Sequence, residues 1–199
     1  GKKTELDSDK YRSQKETVQT QLSDPRPESL RFNLRSQVEK TWTLQANHNG
    51  LPARNFATAE NNYESLQRAI FSEIKEKNTC RGCPVACKNI LSYENKMIRI
   101  SYSALVCLGP LLGIEEKESV LELLYIAEKE GLDPVSLGCS LAFLTEKNEW
   151  DFGDFDTYKA LIQGIVARKE PWAKELSLGV RKAITPESRD YAMVLSGLE

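Results

Sequence analysis

The sequence predicts a mostly α-helical, multi-helix domain that contains one small β-hairpin. From residue 103 onward, apolar residues recur every three or four positions, which is the spacing of one buried helix face. Two short runs rich in β-branched and aromatic residues, 89–93 and 97–102, flank the turn sequence Glu94-Asn95-Lys96. We therefore expect helices packed around a hairpin that is the only sheet.

The first part of the chain predicts an arm followed by helices. Residues 1–29 are polar and charged, with a weak helical pattern that stops at the breaker run 23–27. This pattern predicts a polar helical arm over 1–29 and a helical domain over 30–199. Within that domain, Leu30, Leu34 and Val38 indicate one helix face. Residues 47–52 predict a turn that leaves His48 in solvent, and an apolar stripe predicts a further helix over 61–77.

Stop and start signals define the later helices. A helix over 115–130 is predicted to end at Gly131, where a left-handed residue is favoured. Asp133 is a favourable N-cap and Pro134 a favourable first residue for the next helix. Another helix is predicted over 157–169, and Pro171 opens a final helix that runs into the tail.

Composition excludes several classes of function. The 27 Lys and Arg residues nearly balance 29 Asp and Glu residues, for a net charge of −2 without long blocks of one sign. This balance argues against binding to nucleic acid or to an anionic membrane. No apolar run approaches the ~18–20 residues of a membrane helix, and the first residues carry no apolar signal segment. Five clustered cysteines in such a chain favour a reducing compartment, so we expect a cytoplasmic protein.

The most informative motif is Cys80-x-x-Cys83-x-x-x-Cys87, which places three of the five cysteines within eight positions. Gly82 permits a tight turn, and Pro84 can begin a helical turn that brings Cys87 back toward the other two. Three thiolates can therefore converge on one point, as in a metal or cluster site.

Spacing separates the possible uses of this motif. A structural zinc site would need a second cysteine pair or paired histidines, but His48 is the only histidine. A radical-SAM site would have the reversed order, CxxxCxxC. Iron–sulfur ligation accepts varied spacings and is favoured here. Reduced cysteines without a ligand are the remaining alternative.

The order of motifs resembles the aldehyde ferredoxin oxidoreductase family of tungsten- or molybdenum-pterin enzymes. The resemblance covers about residues 40–199, and within that family it extends to the helical middle domain only. It depends on these segments: Gly50-Leu-Pro-Ala-Arg-Asn-Phe56, Cys80 to Cys87, Leu108-Gly109, Glu128-Lys-Glu-Gly-Leu-Asp133, Ser136-Leu-Gly138, Phe152-Gly-Asp154 and Leu176-Ser-Leu-Gly179.

This resemblance implies a fragment of a larger catalytic subunit. The family has a β-rich base for two pterins before the middle domain and another helical domain after it. We therefore expect the chain to be inactive by itself and to need these missing N- and C-terminal domains. The whole enzyme would oxidise an aldehyde or a related small molecule and pass electrons through a 4Fe-4S cluster to ferredoxin or a partner subunit.

The resemblance also implies a ligand set. Cys80, Cys83 and Cys87 would be three ligands of the 4Fe-4S cluster, with the fourth cysteine in the missing last domain. Cys107 and Cys139 match no ligand position, and both lie in apolar helical patterns. We expect these two to pack as small hydrophobic residues.

A pterin motif of the family falls on Glu128, Gly131, Leu132 and Asp133. A pterin edge presents N–H donors that a carboxylate can accept, and a helix end held by Gly131 brings backbone polar groups close. On the residues alone, an ordinary helix end followed by an N-cap is the simpler interpretation. The resemblance favours a cofactor site of a tungsten- or molybdenum-bispterin enzyme.

One departure concerns the chemistry. Family members often carry Pro-Glu-Tyr-Glu before a helix, whereas this chain has Ile100-Ser-Tyr-Ser103. Tyr102 is kept, but both acids are absent, and serine is no general base without another base beside it. Catalytic residues are therefore not assigned. The alternatives are a stand-alone iron–sulfur electron-transfer module and an interaction module without redox activity.

Overall fold

The computed structural model of the chain describes residues 8–22, 37–57, 63–78 and 87–192. Helices dominate these ranges, and a small antiparallel sheet lies between the third and the fourth helix in chain order. The predicted fold class is therefore confirmed. None of the described helices is both long and apolar enough to span a bilayer. In chain order the elements are α1 (Ser8–Leu22), α2 (Gln37–Asn47), α3 (Glu64–Phe71), β1 (Ile74–Asn78), β2 (Lys88–Tyr93), β3 (Lys96–Ser101), α4 (Tyr102–Leu108), α5 (Lys117–Glu130), α6 (Pro134–Lys147), α7 (Phe155–Ala167), α8 (Pro171–Leu176) and α9 (Val180–Ala183), with 3₁₀ turns at Pro110–Leu112 and Pro186–Tyr191.

The predicted hairpin is formed by β2 and β3. These strands pair antiparallel with Tyr93 opposite Lys96, so Glu94 and Asn95 form a two-residue loop. Both loop residues have positive φ, 47° and 62°, as a type I′ hairpin turn requires. Asparagine tolerates this conformation better than most residues, which explains why the chain turns here.

The prediction of a helix over 61–77 was wrong beyond residue 71. Helix α3 ends at Phe71, and Ile74–Asn78 form strand β1, which pairs with β2 and makes the sheet three-stranded. Ile74 lies four positions after Ile70, so it fits the apolar stripe of a longer helix. In the structure Ile74 packs against the core from a strand instead, and pairing with β2 gives the backbone its hydrogen bonds.

The stop and start signals after α5 are confirmed. Gly131 has φ 68°, and the Leu132 N–H donates to the Ala127 carbonyl at 2.8 Å, which closes the end of α5. Asp133 is the N-cap of α6, and Pro134 is its first residue. Helices α5 and α6 are thus joined by a three-residue turn.

The C-terminal prediction was partly wrong. Helix α7 begins at Phe155, with Asp154 as its N-cap, and ends at Ala167. The predicted final helix from Pro171 is broken, because α8 ends at Leu176 and a loop with Gly179 at φ 90° precedes α9. A left-handed glycine cannot continue a right-handed helix, and it redirects the chain.

The N-terminal predictions are tested only where the chain is described. Helix α1 lies within the predicted arm, whereas the boundary between residues 29 and 30 falls outside the described residues. Helix α2 extends to Asn47, through a stretch without clear periodicity, and buries Trp42 completely. His48 is exposed in the following turn, as expected.

The core is centred on helices α4 and α6. Leu105, Leu108 and Leu141 have no exposed surface, and the side chains of α3, α5 and the sheet pack around them. Complete burial of one leucine side chain contributes about 1.5–3 kcal/mol. The same cluster includes the large buried residues Trp42, Tyr158, Phe143, Leu66, Ile70, Leu91, Ile98, Ile100, Leu112 and Leu121.

Candidate cofactor and cluster site

The cysteine motif connects two strands that pair at their ends. Asn78, the last residue of β1, lies opposite Lys88, the first residue of β2. All three predicted ligands fall within the nine residues between these positions. Both ends of the connection that carries the motif therefore meet at the sheet.

Only one of the three predicted ligands can be located. Cys87 directly precedes β2, is half-buried, and forms no disulfide with another described residue. Cys80 and Cys83 lie outside the described residues. Among the residues that are described, no three metal-ligating side chains cluster in a way that could hold a metal ion. The predicted ligand set remains a prediction.

An open cavity lies at the turn between α5 and α6. Its volume is about 320 Å³, within the ~300–1,000 Å³ range of small-molecule sites. Three of the four predicted pterin-binding residues line it: Gly131, Leu132 and Asp133. The remaining wall is formed by the first turns of α6, one residue of α7, the end of α8 and the segment after α8, through Ser136, Leu137, Ser140, Ile165, Leu176, Ser177, Leu178 and Gly179.

Asp133 has a structural role at this cavity. Its Oδ1 accepts hydrogen bonds from the backbone N–H groups of Val135 at 3.1 Å and Ser136 at 2.9 Å. These donors belong to the first turn of α6 and have no partner within the helix. The Oδ2 atom makes no hydrogen bond to any described residue, so an exposed acceptor is left beside the cavity.

Gly131 leaves the cavity mouth open. A Cβ atom built on Gly131 would meet no atom within 4 Å, so glycine is needed for its φ of 68° and not for lack of space. The exposed backbone of this turn can therefore be approached closely by a planar molecule.

Glu128, the fourth predicted residue, is not part of the cavity lining. It lies in the last turn of α5, where its carboxylate is 3.9 Å from the Arg99 guanidinium on β3. Both side chains are largely exposed, so this ion pair adds little stability. The Glu128 side chain thus lies outside the cavity lining, although the Glu128 carbonyl accepts a hydrogen bond from the Gly131 N–H at 3.3 Å.

The opposite wall was not identified as a site from the sequence. Residues 176–179 bring Leu178 to the cavity with 70% of its surface exposed, which is unusual for a leucine. The positive φ of Gly179 turns this segment toward α6. The Leu-Ser-Leu-Gly motif and its glycine can be recognised in the sequence, but their position beside the Gly131 turn depends on how α8 packs against α7 and α9 against α6.

Ser101, one of the residues that replace the acids of the family pattern, begins a helix. It is the N-cap of α4, and its Oγ accepts a hydrogen bond from the Ala104 N–H at 3.3 Å. Ser103 is exposed, with its Oγ 3.4 Å from that of Ser101. Tyr102 is half-buried, and burial and the nearby Cys107 thiol raise the pKa of its hydroxyl. These residues form no general-base site.

Cys107 and Cys139 face each other across α4 and α6. The two thiols lie close enough to interact, and both residues are half-buried. Both side chains pack against the apolar core, as expected from their helical patterns, although neither is fully buried. Their contact was not predicted.

Comparison with known proteins identifies the family. A family model described as aldehyde ferredoxin oxidoreductase, domains 2 and 3, matches residues 33–199. This is most of the chain, and the helical fold agrees with it. The chain therefore belongs to the aldehyde ferredoxin oxidoreductase family.

Individual relatives agree with this assignment. The chain is 33% identical over 113 residues to a tungsten-containing aldehyde ferredoxin oxidoreductase of Thermococcus kodakarensis. It is 34% identical over 109 residues to the enzyme of the same description from Pyrococcus abyssi, and 33% identical over 109 residues to that from Pyrococcus horikoshii. Each match covers 52% of this chain and only 18% of the relative, so the chain matches less than a fifth of these proteins.

Proposed function

We propose that this chain is the cluster- and pterin-binding helical part of a tungsten- or molybdenum-bispterin oxidoreductase that oxidises aldehydes or related substrates. The observation that carries this proposal is the cavity beside Gly131, Leu132 and Asp133 in a chain of this family. The relatives are described as tungsten-containing, which favours tungsten as the metal of the whole enzyme.

The residues of the cavity fit one edge of a pterin. Such an edge presents N–H donors, and the Oδ2 atom of Asp133 is an acceptor with no protein partner among the described residues. The other oxygen holds the first turn of α6, so the carboxylate is fixed before the cofactor arrives. Leu178 offers an apolar surface on the opposite wall, against which a flat ring can lie.

The cysteine motif would hold a 4Fe-4S cluster through Cys80, Cys83 and Cys87, with a fourth cysteine from another domain of the same subunit. Thiolate ligation suits an iron–sulfur cluster, and pairing of Asn78 with Lys88 fixes the base of the segment that carries the ligands. When bound, the metal–pterin centre would supply two-electron oxidation, and the cluster would supply single-electron transfer toward ferredoxin or a partner subunit.

This chain supplies binding and positioning, and it leaves the proton-transfer step to groups elsewhere in the enzyme. Ser101 caps α4 where other members carry an acid, so no carboxylate is contributed from that position. The role of this part is therefore to hold the cofactor edge at Asp133 and the cluster at the cysteines.

The test is expression of the intact subunit that contains this sequence, under anaerobic conditions with tungstate or molybdate. We expect tungsten or molybdenum, pterin and about four irons per subunit, with aldehyde-dependent reduction of a viologen dye. Iron without pterin or either metal would indicate an electron-transfer module instead. Absence of all of these groups would indicate an interaction module.

A further inference from the structure

The contact between Cys107 and Cys139 lies outside the proposed cofactor and cluster sites. Cys107 is the sixth residue of α4, and Cys139 is the sixth residue of α6. The two helices pack against each other and bring these thiols close together, although 31 residues separate them in the sequence.

Gly138 explains why the two helices approach so closely. A Cβ atom at this position would overlap the Cys107 carbonyl and lie 2.8 Å from the Cys107 Cβ. Because glycine has no side chain, the backbone of α6 packs directly against Cys107. The neighbouring Cys139 is thereby placed beside the other thiol.

The surroundings keep this pair reduced at rest but open to a small oxidant. The neighbouring Cys139 thiol, burial and the nearby Asp133 carboxylate raise the pKa of the Cys107 thiol far above its ordinary range. A protonated thiol is a weak nucleophile, so spontaneous oxidation is slow. Both cysteines nevertheless retain exposed surface, which a molecule as small as a peroxide can reach.

We propose that Cys107 and Cys139 are a redox-active thiol pair that a peroxide converts to a disulfide joining α4 to α6. Two S–H bonds and the peroxide O–O bond break, one S–S bond forms, and hydrogen peroxide leaves as two waters. In the disulfide the two sulfurs lie about 2.05 Å apart. A thiol reductant reverses the reaction.

The cross-link would act on the helix that carries the cavity. Asp133, Ser136 and Ser140 belong to the N-cap and first half of α6, and Cys139 lies among them in sequence. A disulfide at Cys139 would fix this part of α6 to α4. The pair itself does not depend on the proposed function, because its formation requires only the contact between the two helices.

Peptide mapping of the protein tests the proposal directly. The protein is treated with hydrogen peroxide, its remaining thiols are alkylated, and it is digested with trypsin without reduction. Cys107 and Cys139 then fall in separate peptides, residues 100–117 and 130–147, each with one cysteine, while the other three cysteines fall in peptides 78–81 and 82–88. We expect the first two peptides to be recovered joined, two hydrogens lighter than their sum.

Native packing is tested by repeating the oxidation in denaturant. The joined peptides should dominate the cross-links of the native protein and fall several-fold in the unfolded chain, where all five cysteines compete. An equal yield in both states, or alkylated Cys107 and Cys139 after native oxidation, would overturn the proposal.

Variants provide a second measurement. Cys107→Ser and Cys139→Ser should each abolish the joined peptides, whereas Ser103→Ala on the exposed surface of α4 should retain them. Circular dichroism of each variant shows whether the helices have formed. Selective pairing would be refuted if, in a folded Cys107→Ser protein, peptide 130–147 joined one of the remaining cysteine peptides as readily as it joins peptide 100–117 in the parent.

Discussion

Substitution of Asp133 separates its role in folding from its proposed role in cofactor binding. The Oδ1 atom accepts from two backbone N–H groups of α6, at 3.1 and 2.9 Å. Asp133→Ala removes this N-cap, which costs about 1 kcal/mol of stability, within a range of about 0.5–2 kcal/mol. For a chain of this size, such a loss lowers Tm by about 2–4 °C. Urea denaturation of the 199-residue protein measures the change.

Two further substitutions at the same position keep the cap. Asparagine and serine are good N-cap residues, so Asp133→Asn and Asp133→Ser should differ from the parent by less than Asp133→Ala. Asparagine retains a second polar atom near the cavity, but its amide carries no negative charge, and serine has no second polar atom at all. The pterin content of the intact subunit should therefore fall in the order Asp, Asn, Ser.

The two measurements together test the reasoning. In the intact subunit, Asp133→Ser should lose pterin although its stability remains close to that of the parent. If pterin content instead follows stability, with serine equal to aspartate, the carboxylate has only a capping role. Equal pterin content in all four proteins would refute the cofactor contact altogether.

Four other substitutions probe the packing and capping by denaturation of the 199-residue protein. Gly138→Ala should cost about 1–3 kcal/mol or more, because the new methyl group overlaps the Cys107 backbone, whereas Gly131→Ala meets no atom and should cost about 1–2 kcal/mol for its left-handed backbone alone. A Gly138→Ala protein as stable as the parent would contradict the close approach of α4 and α6. Asn55→Ala should cost about 1–3 kcal/mol, because the buried Asn55 Nδ2 donates to the Glu146 carboxylate and to the Tyr191 carbonyl 3.0 Å away. An unchanged urea midpoint would show that these hydrogen bonds contribute nothing to stability. Hydrogen bonds from Thr157 lower the pKa of Asp154 below its usual value of 3.8. The Asp154 carboxylate therefore contributes stability above pH 3.8, and this contribution is lost as the pH falls through the lowered pKa. The difference in Tm between the parent and Asp154→Ala should disappear in acid, and a difference that stays constant with pH would contradict this role of Asp154.

Local signals predicted the junction of α5 and α6 well. The positive φ of Gly131 and the cap at Asp133 depend on residues within a few positions of each other. The same is true of the hairpin turn at Glu94 and Asn95. Where short-range chemistry decides the conformation, the residues themselves are sufficient.

Features that depend on distant partners could not be predicted in this way. Ile74 fits a helical stripe, and only pairing with β2 makes it a strand residue. The wall at Leu178 approaches the Gly131 turn through the packing of α8 on α7 and of α9 on α6. Likewise, apolar patterns placed Cys107 and Cys139 on helices, but the small size of Gly138 determines that the two thiols meet.

Iron content of cysteine variants in the intact subunit tests the central claim most directly. Serine substitution of Cys80, Cys83 or Cys87 should each reduce the iron of the anaerobically purified enzyme well below the parent value of about four per subunit. Cys107→Ser and Cys139→Ser are matched controls from the same chain and should retain the parent value. Full iron after loss of any of the first three cysteines, or loss of iron in either control, would contradict the proposed cluster site.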